Sequence, residues 1–433
     1  MRMKKGGGNV GGELIIRGGR PLYGTVRIPA AKNSILPLLA AALLCQGQVT
    51  FEDVPALTDV ENSLALLKGV GCGVSSRAGR VRICPPRRAA PVLPEGPARA
   101  MRSSVFYLAP LLHRAGSVTM PLPGGCRIGA RPIDIHLDGL AAMGARVEMG
   151  AGGLTLKAPP EGLRGVDWRM RLPSVGATET LMMAAVLARG VTVLRGAACE
   201  PEIEDLARFL GRCGALICGA GTPTIWIQGV RELEGTDYTP IPDRITASTL
   251  VGAVAGCGGR LDLENCRPDQ MAPQLALLKK AGCRIEPRAN GLTIARQEPL
   301  AGGGTVYTGG YPAFATDAAP VTAAAFLTAR GETRFCDRVF ENRFSCAEDF
   351  AKLGAQVRRE GCCLVIRGVR ELQGCQLQAR DLRGGAALVT AALCAAGESR
   401  IRGVEHIQRG YEDIAELYSR LGARIRWADE TGA

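Results

Sequence analysis

One unit, written six times, constrains this chain more than any other feature. A Gly-x-x-(Val/Ile) tetrad recurs at Gly71, Gly144, Gly214, Gly282, Gly354 and Gly422, at spacings of 73, 70, 68, 72 and 68 residues. Ahead of each lies an amphipathic helix pattern: DVENSLALLKGV, IDIHLDGLAAM, EIEDLARFLGRC, DQMAPQLALLKKA, CAEDFAKL and YEDIAELYSRL. The glycine ends each helix, where a positive φ is needed. After every copy but the truncated last come two short strand-like runs around a turn, as in VEMGAGGLTLKAP and IEPRANGLTIAR. Self-similarity at a fixed period means that one supersecondary unit is stacked on itself.

Each unit also carries a second helix, apolar nearly all round: SILPLLAAALLCQ, SSVFYLAPLLHRA, GATETLMMAAVLA, ITASTLVGAVAGC, AAPVTAAAFLTA and GAALVTAALCAAG. A helix without a polar face belongs inside a core, so helices are expected in the middle and strands outside. Six units divide most simply into two domains of three, with the break in the proline-bearing segment Thr239–Asp243. In order, the starts of the six buried helices carry Lys32 with Asn33, Arg102, Ser174, Asp243, Asp317, and Asp381 with Arg383. Capping accounts for the serine and the three aspartates. It does not account for Lys32, Arg102 and Arg383, because the helix dipole disfavours cations at that end. Three cations set against the dipole at one repeated position imply a shared site for anions.

The stretch Pro121–His136 reads PLPGGCRIGARPIDIH. Its prolines and glycines describe a shaped loop, and Arg127 and Arg131 flank Cys126. Neighbouring cations raise the thiolate fraction of a cysteine, the first requirement for reactivity. Two further motifs have bland readings. Glu341-Asn342-Arg343 after the strand-like FCDRVF reads as a solvated, salt-bridged turn, and Arg409-Gly410-Tyr411-Glu412 as the opening of the last amphipathic helix, with Glu412 in its first turn. His136 on an amphipathic helix is by itself more often structural than catalytic.

The net charge of +12 calls for an anionic partner, and aromatic content of only 4% argues against single-stranded nucleic acid, which stacks on rings. The sixteen cysteines include no Cys-x-x-Cys pair, and the three histidines are His113, His136 and His406, so neither zinc nor another metal is expected. They do not read as a disulfide scaffold, and several sit in apolar helical runs as small hydrophobes. There is no signal core and no apolar run long enough for a bilayer, so a cytoplasmic protein with reduced thiols and no membrane contact is expected. No Walker or dinucleotide motif is present, and no cofactor is expected.

The spelling Gly-Gly-Cys-x-Ile-Gly-Ala-Arg-Pro-x-Asp-x-His resembles the cysteine loop of the UDP-N-acetylglucosamine enolpyruvyl transferases, and the resemblance runs through nearly the whole chain. It implies a two-domain inside-out α/β barrel of six repeats, residues 1–31 plus 242–433 forming one domain and 32–241 the other. The implied substrates are UDP-N-acetylglucosamine and phosphoenolpyruvate, small molecules meeting in the cleft between the domains. The reaction implied is the first committed step of peptidoglycan synthesis, with Cys126 as the thiol that fosfomycin alkylates. Lys32 and Asn33 resemble the hinge residues that meet phosphoenolpyruvate and the sugar, and Arg102 the arginine that reaches the ligand phosphates. Arg131, Pro132, Ile133, Asp134 and Ile135, with Ser174 and Val175, match the uridine-binding turns. Glu200, Asp243, Asp317, Val339, Glu341, Arg343, Asp381, Arg383 and Arg409 each fall at a family site, Asp317 as the base that takes the sugar's proton. The chain departs from the family at Ala318, Ala319, Thr246, Cys199 and Gln408, which suggests a diverged member and leaves a non-catalytic or altered-specificity paralogue that binds a UDP-sugar as the alternative. The shikimate-pathway transferase and RNA-end-processing proteins on related repeats are more distant readings. Nothing in the sequence speaks to oligomeric state.

Overall fold

The computed structural model describes residues 12–124, 132–150 and 153–428. The Cys126 loop, with Arg127 and Arg131, lies outside them. All six repeated glycines adopt positive φ, between +88° and +112°, and each follows its amphipathic helix directly. The six apolar runs form buried helical segments, the most continuous being Val175–Ala185, Arg244–Cys257 and Leu382–Cys394. Small residues let them approach closely. A Cβ added at Gly252 would stand 2.7 Å from Val321 of the neighbouring helix.

Among the described residues the strands form six separate sheets around these helices, five with four strands and one with three. In the first unit the strand Val49–Phe51 pairs antiparallel with the hairpin strand Arg80–Cys84 and parallel with Asp237–Tyr238. The other four-stranded sheets repeat this scheme, whereas in the second unit the parallel edge is reduced to a single bridge between Val92 and Thr119. The truncated sixth unit lacks the second strand of its hairpin. Leu14–Arg17 takes that place, antiparallel to both Glu398–Arg402 and Arg424–Trp427. Leu22–Arg27 then adds parallel to Gly259–Glu264 in the fourth unit.

The apolar side chains gather into two cores. One is drawn from Ile35 through Tyr238; the other joins Leu14, Ile16, Leu22 and Ile28 to residues from Ala247 through Ile425. A fully buried Leu or Ile contributes about 1.5–3 kcal/mol, and each core holds dozens, so a continuous apolar stripe on every helix is what the sequence must supply.

Two expectations need correction. Among the described cysteines one pair is oxidised: Cys336 and Cys363 are directly opposite partners on neighbouring strands and form a disulfide. The last amphipathic helix runs Ile414–Arg420 behind the cap Asp413, so Arg409–Glu412 precedes it. Arg409 instead ends the short helix Glu405–Gln408, and Glu412 reaches away to accept a hydrogen bond from the Ala56 amide at 2.6 Å. Among the described residues no helix is long and apolar enough to cross a membrane.

Candidate functional site

Segments from the two cores meet along a line of buried charges. Asp59 is at its centre, a residue with no motif around it, in the first turn of the helix Thr58–Gly69. Its carboxylate takes the Lys32 ammonium at 2.8 Å and the Arg409 guanidinium in a two-pronged grip at 3.0 and 3.1 Å. Lys32 begins the helix Lys32–Ala41, and Asp59 supplies the counter-charge that the dipole there does not. Burial pushes the Lys32 ammonium below its ordinary value and Asp59 opposes that, while Arg383 and Arg409 add to the lowering. Burial alone would raise Asp59; Lys32 and Arg409 outweigh it and hold the carboxyl low. Two cations share one carboxylate, so the spot keeps an excess of positive charge.

Asp243 and Asp381 are helix caps. Asp243 accepts from the amides of Ile245 and Thr246, and its other oxygen lies 3.4 Å from the Lys32 amide. Asp381 accepts from the amides of Arg383 and Gly384 and from the Ser345 hydroxyl at 2.7 Å. Ser174 caps its helix through the Ala177 amide.

Asp317 breaks the pattern. It lies inside the single turn Thr316–Ala318 ahead of Ala319–Ala325, and the cap positions belong to Ala315 and Ala318. Arg343 holds one of its oxygens at 3.0 Å and Arg383 the other at 3.2 Å. Both arginine side chains are buried, at 1% and 6% exposure, whereas Asp317 keeps 26% of its side chain open. The carboxylate is thus gripped from behind and presented forward. Arg343 therefore does not belong to a solvated turn. Thr316 and Asp337 draw it inward, whereas Val339 and Glu341 of the same segment stay exposed. Burial lowers the Arg383 guanidinium's proton affinity, yet Asp317 and Tyr411 more than reverse this.

A second cluster lies across the same line. Glu202 and Arg244 form a bidentate pair at 3.0 and 3.2 Å, and Glu200 accepts from the Tyr311 amide at 3.2 Å. Glu179 is 1% exposed, has an oxygen without a hydrogen-bond partner, and is pushed well up by burial and by Glu202 and Glu200. In the third cluster Arg102 donates to the Pro132 carbonyl at 3.0 Å, and Asp134 pairs with Arg171. His136 is buried and hydrogen-bonded to Thr180 at 3.0 Å. Burial, then the charge of Arg102, pushes it down to about 3.

Sequence reading thus found most of the charged residues and missed their partners: Asp59, Glu202 with Arg244, Thr316, Asp337 and Tyr411. Its one usable signal for Asp59 was an acidic first turn, shared with ordinary helices. Asn33 is exposed, and among the described residues no hydrogen bond or ion pair ties it to these clusters. Of the departures from the family, Thr246 serves the Asp243 cap through its amide, and Ala318 and Ala319 are buried.

Comparison with known proteins agrees over the whole length. A UDP-N-acetylglucosamine 1-carboxyvinyltransferase 2 of Carboxydothermus hydrogenoformans is 43% identical over 419 residues, 95% of this chain and 98% of its own. One from Caldanaerobacter subterraneus subsp. tengcongensis is 41% identical over 415 residues, covering 96% and 99%. Among solved structures, the enolpyruvyl transferase NikO from Streptomyces tendae superposes with a TM-score of 0.86 at 25% identity, over 96% of this chain and 99% of that one. An EPSP synthase from Acinetobacter baumannii shares the fold at a TM-score of 0.75 and 18% identity, covering 96% and 100%. The family model for EPSP synthase (3-phosphoshikimate 1-carboxyvinyltransferase) matches residues 16–417, and the chain belongs to that family.

Proposed function

We propose that this protein is an enolpyruvyl transferase that moves the 1-carboxyvinyl group of phosphoenolpyruvate to the 3-hydroxyl of UDP-N-acetylglucosamine and releases phosphate. The observation that carries the reading is the 41–43% identity, over nearly the full length, to transferases named for that nucleotide sugar. In this reading the chain is a cytoplasmic enzyme of the first committed step of peptidoglycan synthesis, with fosfomycin as an inhibitor. The two apolar cores then correspond to domains 1–31 plus 242–433 and 32–241, with the substrates between them.

In this reading the enol carbon gains a proton, for which Cys126 is the donor, and the sugar hydroxyl adds to the neighbouring carbon. Its proton goes to Asp317, phosphate then leaves, and loss of a methyl proton restores the double bond. The excess positive charge where Lys32 and Arg409 share Asp59 suits the phosphate and carboxylate of phosphoenolpyruvate, and Arg131 adds a third cation. Arg102, Ser174, Val175, the Pro132–Ile135 segment, Glu200, Asp243 and Val339 would line the nucleotide-sugar side. Holding two anionic substrates in register is itself a large part of the acceleration. The exposed quarter of Asp317 is the face left for the sugar.

Phosphate release from the two substrates tests the reading, with Asp317→Asn as the informative variant. A base contributes roughly 10² to 10⁴ in rate, so turnover should fall at least ~10²-fold while UDP-N-acetylglucosamine affinity is kept. Because Asp317 counters two buried arginines, some loss of melting temperature is also expected, and rates are compared well below the transition. Turnover above a tenth of wild type, a tenth being ~1.4 kcal/mol of barrier, would place the base elsewhere.

A further inference from the structure

Behind Asp317 lies a relay whose members take no part in the bond changes themselves. The Thr316 hydroxyl accepts from Nε of Arg343 at 2.9 Å and donates to Oδ2 of Asp337 at 2.6 Å. Asp337 is 2% exposed, and its other oxygen accepts from the amides of Val339 and Phe340 at 2.9 and 2.7 Å. The same Arg343 nitrogen stands 4.0 Å from Asp337, at the edge of a direct ion pair. Arg343 thus faces two carboxylates: Asp317, which it holds through its terminal nitrogen, and Asp337, from which the threonine hydroxyl separates it.

We infer that Thr316 is a positioning residue: by standing between Arg343 and Asp337 it keeps the arginine on Asp317 and so aims the carboxylate at the substrate hydroxyl. The inference rests on Asp317 being the base. Its physics is a competition. A guanidinium close to two carboxylates in a poorly solvated place settles on the better hydrogen-bonded one, and the attraction rises steeply as the gap shrinks. With the hydroxyl present, Asp337 spends Oδ2 on Thr316 and Oδ1 on two amides, which leaves Arg343 free to lean on Asp317. Without it, Asp337 has an unsatisfied oxygen and Arg343 an unsatisfied N–H, each costly when buried, and they close on one another. Asp317 then keeps the Arg383 hold and loses the Arg343 one, and its carboxylate shifts. A displacement near 1 Å suffices to cost about 10²-fold in rate.

Thr316→Val preserves shape and removes the hydroxyl; Thr316→Ser restores it. In the phosphate-release assay Thr316→Val should lower kcat at least ~10-fold, toward the ~10² of a misaimed group, with KM for UDP-N-acetylglucosamine within about threefold of wild type. Thr316→Ser should return kcat to within about threefold, and Asp337→Asn in the Thr316→Val background should recover part of the loss by removing the competing charge. A Thr316→Val enzyme with wild-type kcat overturns the inference, as does an equal loss in the Val and Ser variants, which marks a packing defect. Asp317→Asn measured alongside separates the layers. An active Asp317→Asn defeats the base reading, whereas an inactive one beside a normal Thr316→Val defeats only the positioning role.

Discussion

Replacing Asp59 by asparagine keeps the size of the side chain and removes the one charge that Lys32 and Arg409 share. The Asp59 side chain is 4% exposed, with Lys32 at 9% and Arg409 at 17%, so water offers little substitute. At an effective permittivity near 20, a unit pair about 3 Å apart attracts by about 5–6 kcal/mol before the cost of desolvating the ions. Deleting one member of such a buried group leaves a net loss of about 3–5 kcal/mol. The Lys32 ammonium should respond first. Burial already pushes it down, with Arg383 and Arg409 acting the same way, and Asp59 is the group that opposes them. Without Asp59 it should drop further, since burial and the two arginines are then unopposed. A neutral lysine no longer attracts an anion. The KM for phosphoenolpyruvate should therefore begin to climb at a lower pH in Asp59→Asn than in the wild type, as Lys32 loses its proton more readily. Urea unfolding and a pH series of initial rates measure both effects. A flat KM in the variant, together with a stability change under about 1 kcal/mol, would refute the assignment of Asp59 as the shared counter-ion.

Acid should destabilise the fold through its buried histidines. An unfolded histidine titrates near 6.5 but folded His136 only near about 3, so between these values the unfolded chain binds the extra proton. Stability then falls as pH drops, by about 1.4 kcal/mol per unit, or about 2 kcal/mol from pH 6.5 to 5.0. His113, buried and hydrogen-bonded to the Ala184 carbonyl, is shifted in the same direction. Denaturation midpoints at pH 7 and 5 should converge in His136→Gln; an unchanged difference would exclude His136 as a source. For Cys126, mass spectrometry after fosfomycin treatment in the presence of UDP-N-acetylglucosamine should find one adduct there and none on the other fifteen cysteines. An unmodified Cys126 in an enzyme that turns over would remove the thiol from the chemistry, and Cys126→Asp should resist the inhibitor while a carboxylic acid still delivers the proton.

The fold was legible because its signals are local. A glycine at a fixed offset from an amphipathic helix, and an all-apolar helix after each hairpin, can be read within one repeat. Caps such as Ser174, Asp243 and Asp381 were legible for the same reason. Asp317 misled because its position relative to the helix start looks like a cap, and only the distant Arg343 and Arg383 reveal its role. Asp59 carries no local mark, since its partners stand 27 residues before it and 350 after it. Thr316 and Asp337 are equally silent, because a threonine beside an aspartate acquires meaning only when the end of the strand Glu332–Cys336 arrives against it. The missing strand of the sixth repeat was visible as a gap, yet what fills it comes from the opposite end of the chain.

That last pairing carries a consequence for how the protein is made. Leu14–Arg17 leaves the ribosome well ahead of its two neighbours, Glu398–Arg402 and Arg424–Trp427, which follow nearly four hundred residues later. The core from Ile35 through Tyr238 can gather in the interval, since all of its members have emerged by then. Domains generally fold as units during synthesis, the earlier one first, but here the earliest strand belongs to the core that is completed last. Until then its apolar residues Leu14 and Ile16 have no permanent partner. At a synthesis rate of about 5–20 residues per second, that segment waits tens of seconds, long enough for a chaperone to take hold of it before its own sheet exists.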